Sequence, residues 1–204
     1  MTSATTDGRC WWAGEDPIYV AYHDGEWGLP VADDRRLFEK LCLEGFQAGL
    51  SWRTILYKRE AFRQGFANFE VDRIARFGAR DVARLLRDEG IVRHRGKIES
   101  TINNAKRARE VQREMGSLAA YVWTFEPRPA SRPRVITRDV LAGMATSPES
   151  IALSKDLKRR GFTFVGPTTV YAFMQAMGLV NDHVKGCPSR MRAAEARKGF
   201  RVPG

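Results

Sequence analysis

Four residues near the two ends of the chain have the types and spacing for metal chemistry: Cys10 and His23 near the start, His183 and Cys187 near the finish. They take up two of the three cysteines and two of the three histidines. On a helix, the four-residue step from His183 to Cys187 would put both side chains on one face. Two thiolates and two imidazoles suit tetrahedral zinc, and a closed set of four protein ligands is structural rather than catalytic. Such an ion would tie the N-terminal segment to the C-terminal one. The alternative is four scattered residues that never meet, because long-range pairing cannot be read from spacing.

A second group is aromatic and acidic: Tyr22, Trp27, Glu44 and Trp52. Tyr22 adjoins His23, so a metal there would also fix Tyr22. Glu44 ends an apolar helical run, Leu37 to Leu43, where burial is costly without a partner. Aromatic faces with one carboxylate form a slot for a flat, electron-poor ring. In the competing reading the aromatic residues are core and Glu44 is a helix-end carboxylate.

A third group lies between Ser150 and Leu179, which reads as two helices around a turn. The first helix ends in Lys158, Arg159 and Arg160, cations at the negative end of its dipole. Gly161 to Gly166 make the turn, and Pro167 opens the next helix. A glycine turn feeding a helix N-terminus offers free N–H groups to a phosphate. Gly161, Phe164, Gly166 and Thr168 are therefore expected DNA contacts, although a helical hairpin buried in the core has the same pattern. Arg93, Arg95 and Lys97 read equally as phosphate contacts or as a solvated loop and helix start. Cys42 reads as a buried apolar residue.

The elements that must position these groups are helical almost throughout. Asp33 and Asp34 cap a helix with Leu37, Phe38, Leu41 and Cys42 at helical spacing. Ser51 caps one carrying Ile55, Leu56 and Phe62. Further helices are expected over 81–87 and 97–115, and after Ser147-Pro148-Glu149. No long alternation marks a strand. Pro127 to Pro133 is the clearest loop. With 204 residues, 43% of them apolar, the chain suffices for one sizeable domain or two small lobes. No apolar run is long enough for a membrane span, and residues 1–8 lack the apolar core of a signal peptide. With only three cysteines, a cytoplasmic location is expected. The formal charge of +10 favours an anionic partner, nucleic acid first, although a generally Arg-rich proteome gives the same balance.

Taken together, Asp16 to Gly28, Leu43 to Trp52, Gly90 to Ile98, Lys158 to Gly166 and Gly178 to His183 closely resemble the 3-methyladenine DNA glycosylase I family. The likeness runs in order from about residue 9 to residue 187, and its motifs are long and unusual. It implies an all-α fold of the helix-hairpin-helix glycosylase superfamily, with residues 9–188 as a single domain of two lobes. Residues 1–8 and 189–204 are expected as flexible tails. It implies a structural zinc ion on Cys10, His23, His183 and Cys187. It also implies that Glu44, the catalytic residue, contacts the alkylated base, that Tyr22 and Trp52 stack on it, and that Trp27 lines the same region. Gly49 and Leu50 match the segment that enters the gap left by a flipped nucleotide.

The implied activity is monofunctional removal of 3-methyladenine from double-stranded DNA by a monomer, leaving an abasic site. Many relatives in the wider superfamily carry an aspartate just after the second hairpin helix. Here Asn181 aligns with it and Asp182 follows, so a strong general base is in doubt. No lysine is placed for a Schiff base, so no strand cleavage is expected. Two other classes compete: a non-catalytic binder of distorted duplexes, and a structural zinc protein with no nucleic-acid role.

Overall fold

The computed structural model describes residues 8–204, and the expected tail over 1–7 lies outside them. Among the described residues there are twelve α-helices and no strand. In order they are α1 (Pro17–Gly25), α2 (Asp34–Gln47), α3 (Trp52–Tyr57), α4 (Arg59–Gly65), α5 (Val71–Ile74) and α6 (Ala79–Arg87). Then come α7 (Arg95–Met115), α8 (Leu118–Trp123), α9 (Arg138–Ala142), α10 (Pro148–Arg159), α11 (Pro167–Ala176) and α12 (Pro188–Gly199). No helix among the described residues is long and apolar enough to cross a membrane.

Helix α2 is the central post, packed on α3, α7, α8 and α11. Its start is set by Asp33, whose carboxylate accepts from Arg36 N at 2.8 Å. Asp34 does something else. Its carboxylate accepts from Leu118 N and Ala119 N, each at 2.8 Å, and so caps α8 across the domain. Leu37, Phe38, Leu41, Cys42, Leu43 and Phe46 are buried, and Phe46 continues into an aromatic column with Phe62, Phe66 and Phe69.

Three expected elements change in detail. The helix after Ser51 splits at Lys58, whose φ of −93° and ψ of −1° lie in the bridge region. The long helix begins at Arg95 rather than Lys97, because His94 Nδ1 accepts from Lys97 N at 3.2 Å and acts as its cap. The stretch from residue 189 does not behave as a loose tail: Pro188–Gly199 is helical and Ala193 is buried. Arg197 grips Glu126 with two bonds of 2.7 Å, and Phe200 lies 4.6 Å from the Trp123 ring.

The α10–α11 hairpin folds as its sequence demands. Ser147 and Ser150 form a capping box and Pro148 takes the first helical position. The turn is pinned by α7: Asn104 accepts from Thr163 N at 2.9 Å and donates to Thr163 O at 3.0 Å. Beyond α11, Gly178 has φ +75°, and a Cβ there would stand 2.4 Å from Pro30 N. Backbone cannot yield as a flexible side chain does. Gly178→Ala is therefore expected to cost about 3 kcal/mol or more, combining steric overlap with left-handed strain. Urea unfolding of the variant checks this.

Candidate active site and metal centre

Tyr22, Trp27, Glu44 and Trp52 line one cavity of about 320 Å³. Tyr22 comes from α1, whose start is fixed by Pro17 and by Asp16 accepting from Ile18 N at 3.0 Å. Glu44 comes from the last turns of α2, and Trp52 is the first residue of α3, capped by Ser51. The opposite wall is α11, with Thr168, Tyr171 and Gln175, and an apolar edge is supplied by Leu141, Met144 and Ala145. Among the described residues Glu44 is the one carboxylate on the lining.

The rings do not form two jaws. Tyr22 and Trp52 have centroids 5.3 Å apart at 44°, whereas a base sandwiched at van der Waals distance on both sides needs about 7 Å. They form a continuous wall with Trp12 and Trp27, which pack edge to face at 4.9 Å. A flat ligand therefore lies against this wall from the cavity side.

Lysine 40 is the residue that the sequence reading missed. Its ammonium lies 2.7 Å from Glu44 Oε1, donates to the Tyr22 hydroxyl at 2.7 Å, and sits 3.2 Å from the Trp52 ring centroid. The i,i+4 step from Lys40 to Glu44 was the available signal. Burial pushes the Lys40 ammonium below the usual lysine range, and Glu44 opposes that shift. The Tyr22 hydroxyl is driven well above the tyrosine range, first by burial and then by the Glu44 charge, and stays neutral.

Gly49 and Leu50 occupy the tight turn between α2 and α3. Gly49 has φ +81° and Leu50 is exposed. Lys97 is not available to phosphate: its buried ammonium donates to Phe46 O at 2.8 Å and Ala48 O at 2.6 Å, closing the C-terminus of α2 under this turn. Arg93 and Arg95 pair with Glu89 and Glu99 on the surface. The hairpin turn lies close by, since a Cβ on Gly45 would meet Phe164 Cβ at 3.3 Å. Gly161 (φ +84°) and Phe164 (φ +55°) shape that turn, Phe164 is exposed, and Gly166 caps α11. Thr168 faces the cavity from the first turn of α11.

Neither Asn181 nor Asp182 lines the cavity, and neither is helical. Asn181 donates to Arg190 O at 2.9 Å. Asp182 is fully buried, accepts from Tyr171 at 2.6 Å and Gln175 at 2.9 Å, and is ion-paired with Arg132.

Cys10, His23, His183 and Cys187 are all buried, with their donor atoms within 4.8 Å of one another. His183 and Cys187 do not share a helix: both lie in a turn before α12, bent at Gly186 (φ +91°). The turn still aims both at the cluster. Each cysteine sulfur lies 3.6 Å from His183 Nδ1, Cys187 Sγ lies 3.6 Å from His23 Nε2, and the two nitrogens are 3.2 Å apart. A tetrahedral ion with sulfur at about 2.3 Å and nitrogen at about 2.05 Å has S···N edges of about 3.6 Å and N···N edges of about 3.3 Å. The residues fit a metal ion.

The remaining ring nitrogens are engaged elsewhere. His183 Nε2 is 3.0 Å from Trp27 O, and His23 Nδ1 is 2.7 Å from Asp24 Oδ1. Those contacts fix the tautomers and leave the inward nitrogens bare. Asp24 is held at about 2 by its hydrogen bond from Arg9, with His23 adding to it. A hydrogen bond from Cys10 lowers the Cys187 thiol, the direction that a metal-ligating sulfur requires.

The fold and the site together define a helix-hairpin-helix protein with a base-sized aromatic cavity and clasped ends. The chain belongs to the methyladenine glycosylase family, whose sequence model matches residues 12–191. It is 49% identical over 180 residues to DNA-3-methyladenine glycosylase 1 of Escherichia coli (strain K12), covering 88% of this chain and 95% of that protein. A structure described as the basis of 3-methyladenine recognition by 3-methyladenine DNA glycosylase I from Staphylococcus aureus superposes with a TM-score of 0.83. It is 36% identical and covers 91% of this chain and 98% of that one. A variant 3-methyladenine DNA glycosylase I in complex with 3-methyladenine superposes at 0.78, with 37% identity, 89% of this chain and 97% of that one covered.

Proposed function

We propose that this chain is a monofunctional DNA glycosylase that hydrolyses the N-glycosidic bond of 3-methyladenine in alkylated duplex DNA and leaves an abasic site. The observation that carries this reading is the cavity. One acid, Glu44, stands in an aromatic wall of a size for a single base, in a chain whose relatives are named for this activity.

Methylation at N3 makes the purine cationic, and the glycosidic electron pair neutralises it as the bond breaks. The leaving group is therefore already good, and the enzyme's work is selection and extrusion. Taking a nucleotide out of the stack costs a few kcal/mol, least for a damaged base. Tyr22, Trp27 and Trp52 receive the flipped ring, and their faces favour the cation by about 0.5–2 kcal/mol. Glu44 accepts a hydrogen bond from the base and stabilises its charge. Leu50, on the Gly49 turn, fills the gap in the duplex. The end of the turn, Phe164 to Gly166, and the start of α11 hold phosphate through backbone N–H groups, since Gly161 N, Phe162 N and Thr163 N are already bonded within the protein. Water adds to the sugar carbon as the base departs. Among the described residues no carboxylate besides Glu44 lines the cavity, which suits a labile cationic substrate. The lysine nearest the wall, Lys40, is engaged by Glu44 and Tyr22, which supports hydrolysis without a Schiff base.

Cys10, His23, His183 and Cys187 would hold zinc as a structural ion, four protein ligands that would leave no position for substrate. The cavity is complete within one chain, which supports action as a monomer. Incubation with methylated duplex DNA is expected to release free 3-methyladenine and leave strands intact until alkali is added. No released base would overturn the activity; strand breaks before alkali would overturn its monofunctional character.

A further inference from the structure

Lys40 and Glu44 are charged residues one turn apart on α2, yet their side chains are only 6% and 5% exposed. An ammonium has three N–H donors. Here each has a destination: Glu44 Oε1 at 2.7 Å, the Tyr22 hydroxyl at 2.7 Å, and the face of Trp52 at 3.2 Å. All three destinations are residues of the cavity wall, and Lys40 itself does not line the cavity. It lies behind the wall, in a small recess shared with Glu26, Glu39, Arg59 and Arg63. The other acids there are already taken. Arg59 grips Glu26 with bonds of 2.6 and 2.8 Å, and Arg63 holds Glu39 at 2.8 and 2.9 Å. Glu44 is left as the anion in contact with Lys40.

We propose that Lys40 is a positioning residue for base excision: it stands as the counter-charge of Glu44, fixes one of its oxygens, presents the other to the base, and locks Tyr22 and Trp52 into the wall. This rests on the base-excision reading of the cavity. Because Tyr22 accepts from Lys40, its own hydroxyl proton is left to donate. Because the ammonium covers Trp52 from the recess, the cavity side of the wall stays clear for the ring. The charged and titratable groups facing the pair are Tyr19 and Tyr22 from α1, Glu26 beyond it, Arg36 and Glu39 on α2, Arg59 and Arg63 from α4 and Tyr171 across the cavity.

Lys40→Met and Lys40→Arg test this on the metal-loaded full chain, with 3-methyladenine release followed from pH 4.5 to 9 (~ range set by the titration of carboxylates and lysines). Lys40→Met should lower kcat/KM about 10- to 100-fold, the range found when a partner that orients a functional group is removed. Its acid limb should move up by about one pH unit or more, because the neighbouring positive charge is gone. Lys40→Arg should return the acid limb to the wild-type position. A Lys40→Met profile that overlays wild type overturns the proposal and leaves the base-excision reading intact; a wild-type chain that releases no base overturns that reading instead. Should Lys40→Met not fold, the neutral pair Lys40→Met/Glu44→Gln replaces it. Its affinity for free 3-methyladenine, read by tryptophan fluorescence, should fall below that of Glu44→Gln alone because Tyr22 and Trp52 lose their lock, and an equal affinity would overturn the hold of Lys40 on the wall.

Discussion

Glu44→Gln is expected to slow 3-methyladenine release by about 100- to 1,000-fold, the scale of losing one preorganised electrostatic contact in a dry site. The amide is isosteric, so the wall of Tyr22, Trp27 and Trp52 survives. What disappears is a full negative charge beside a ring whose positive charge is moving as the glycosidic bond stretches. Glutamine also presents N–H donors where the base requires only acceptors. The fold should persist, because Lys40, already pushed below the usual lysine range by burial, loses its proton more readily once its counter-charge is gone. We expect a stability cost of about 1–3 kcal/mol, far smaller than the catalytic loss in its consequences. Single-turnover release, read beside a thermal melt, separates the two effects. Wild-type release by this variant would remove Glu44 from the mechanism.

Cys187→Ala is expected to abolish stoichiometric metal and lower the melting temperature by roughly 10 °C, the equivalent of about 3–5 kcal/mol in a chain of this size. The cluster joins segments 173 residues apart, from Cys10 to His183. Losing it releases the segment before α1 and the start of α12 together. The damage should also reach the cavity, since Tyr22 precedes His23 and Trp27 O receives His183. Elemental analysis and a melt check this directly. Unchanged metal content and melting temperature would refute the clasp.

Most of the helical plan was legible because its signals are local. Asp33, Ser51 and Ser147 each cap the helix their position announced, and Pro148 and Pro167 open theirs. Tyr22, Trp27, Glu44 and Trp52 were named from residue type and family likeness, and they share one hollow. What escaped was long-range or orientational. Asp34 reads as a second cap for α2, and only packing reveals that it serves α8, 84 residues on. Lys97 reads as surface charge because nothing local announces the carbonyls of Phe46 and Ala48 that it closes. His183 and Cys187 have helical spacing but reach the cluster through a turn, because Gly186 bends the chain there. The final helix looked like a basic tail because its anchors, Glu126 and Trp123, are distant in sequence.

Every cysteine in the chain is shielded: Cys10 is 0%, Cys187 3% and Cys42 4% exposed. A protein that removes methylated purines works among the electrophiles that methylate them, and those reagents attack sulfur nucleophiles as readily as ring nitrogens. Thiolates closed inside a Cys2His2 cluster, and a third thiol sealed in the hydrocarbon core, are poor targets. The same enclosure that fastens the chain's ends therefore also keeps its sulfurs out of reach of the reagents whose damage the protein repairs.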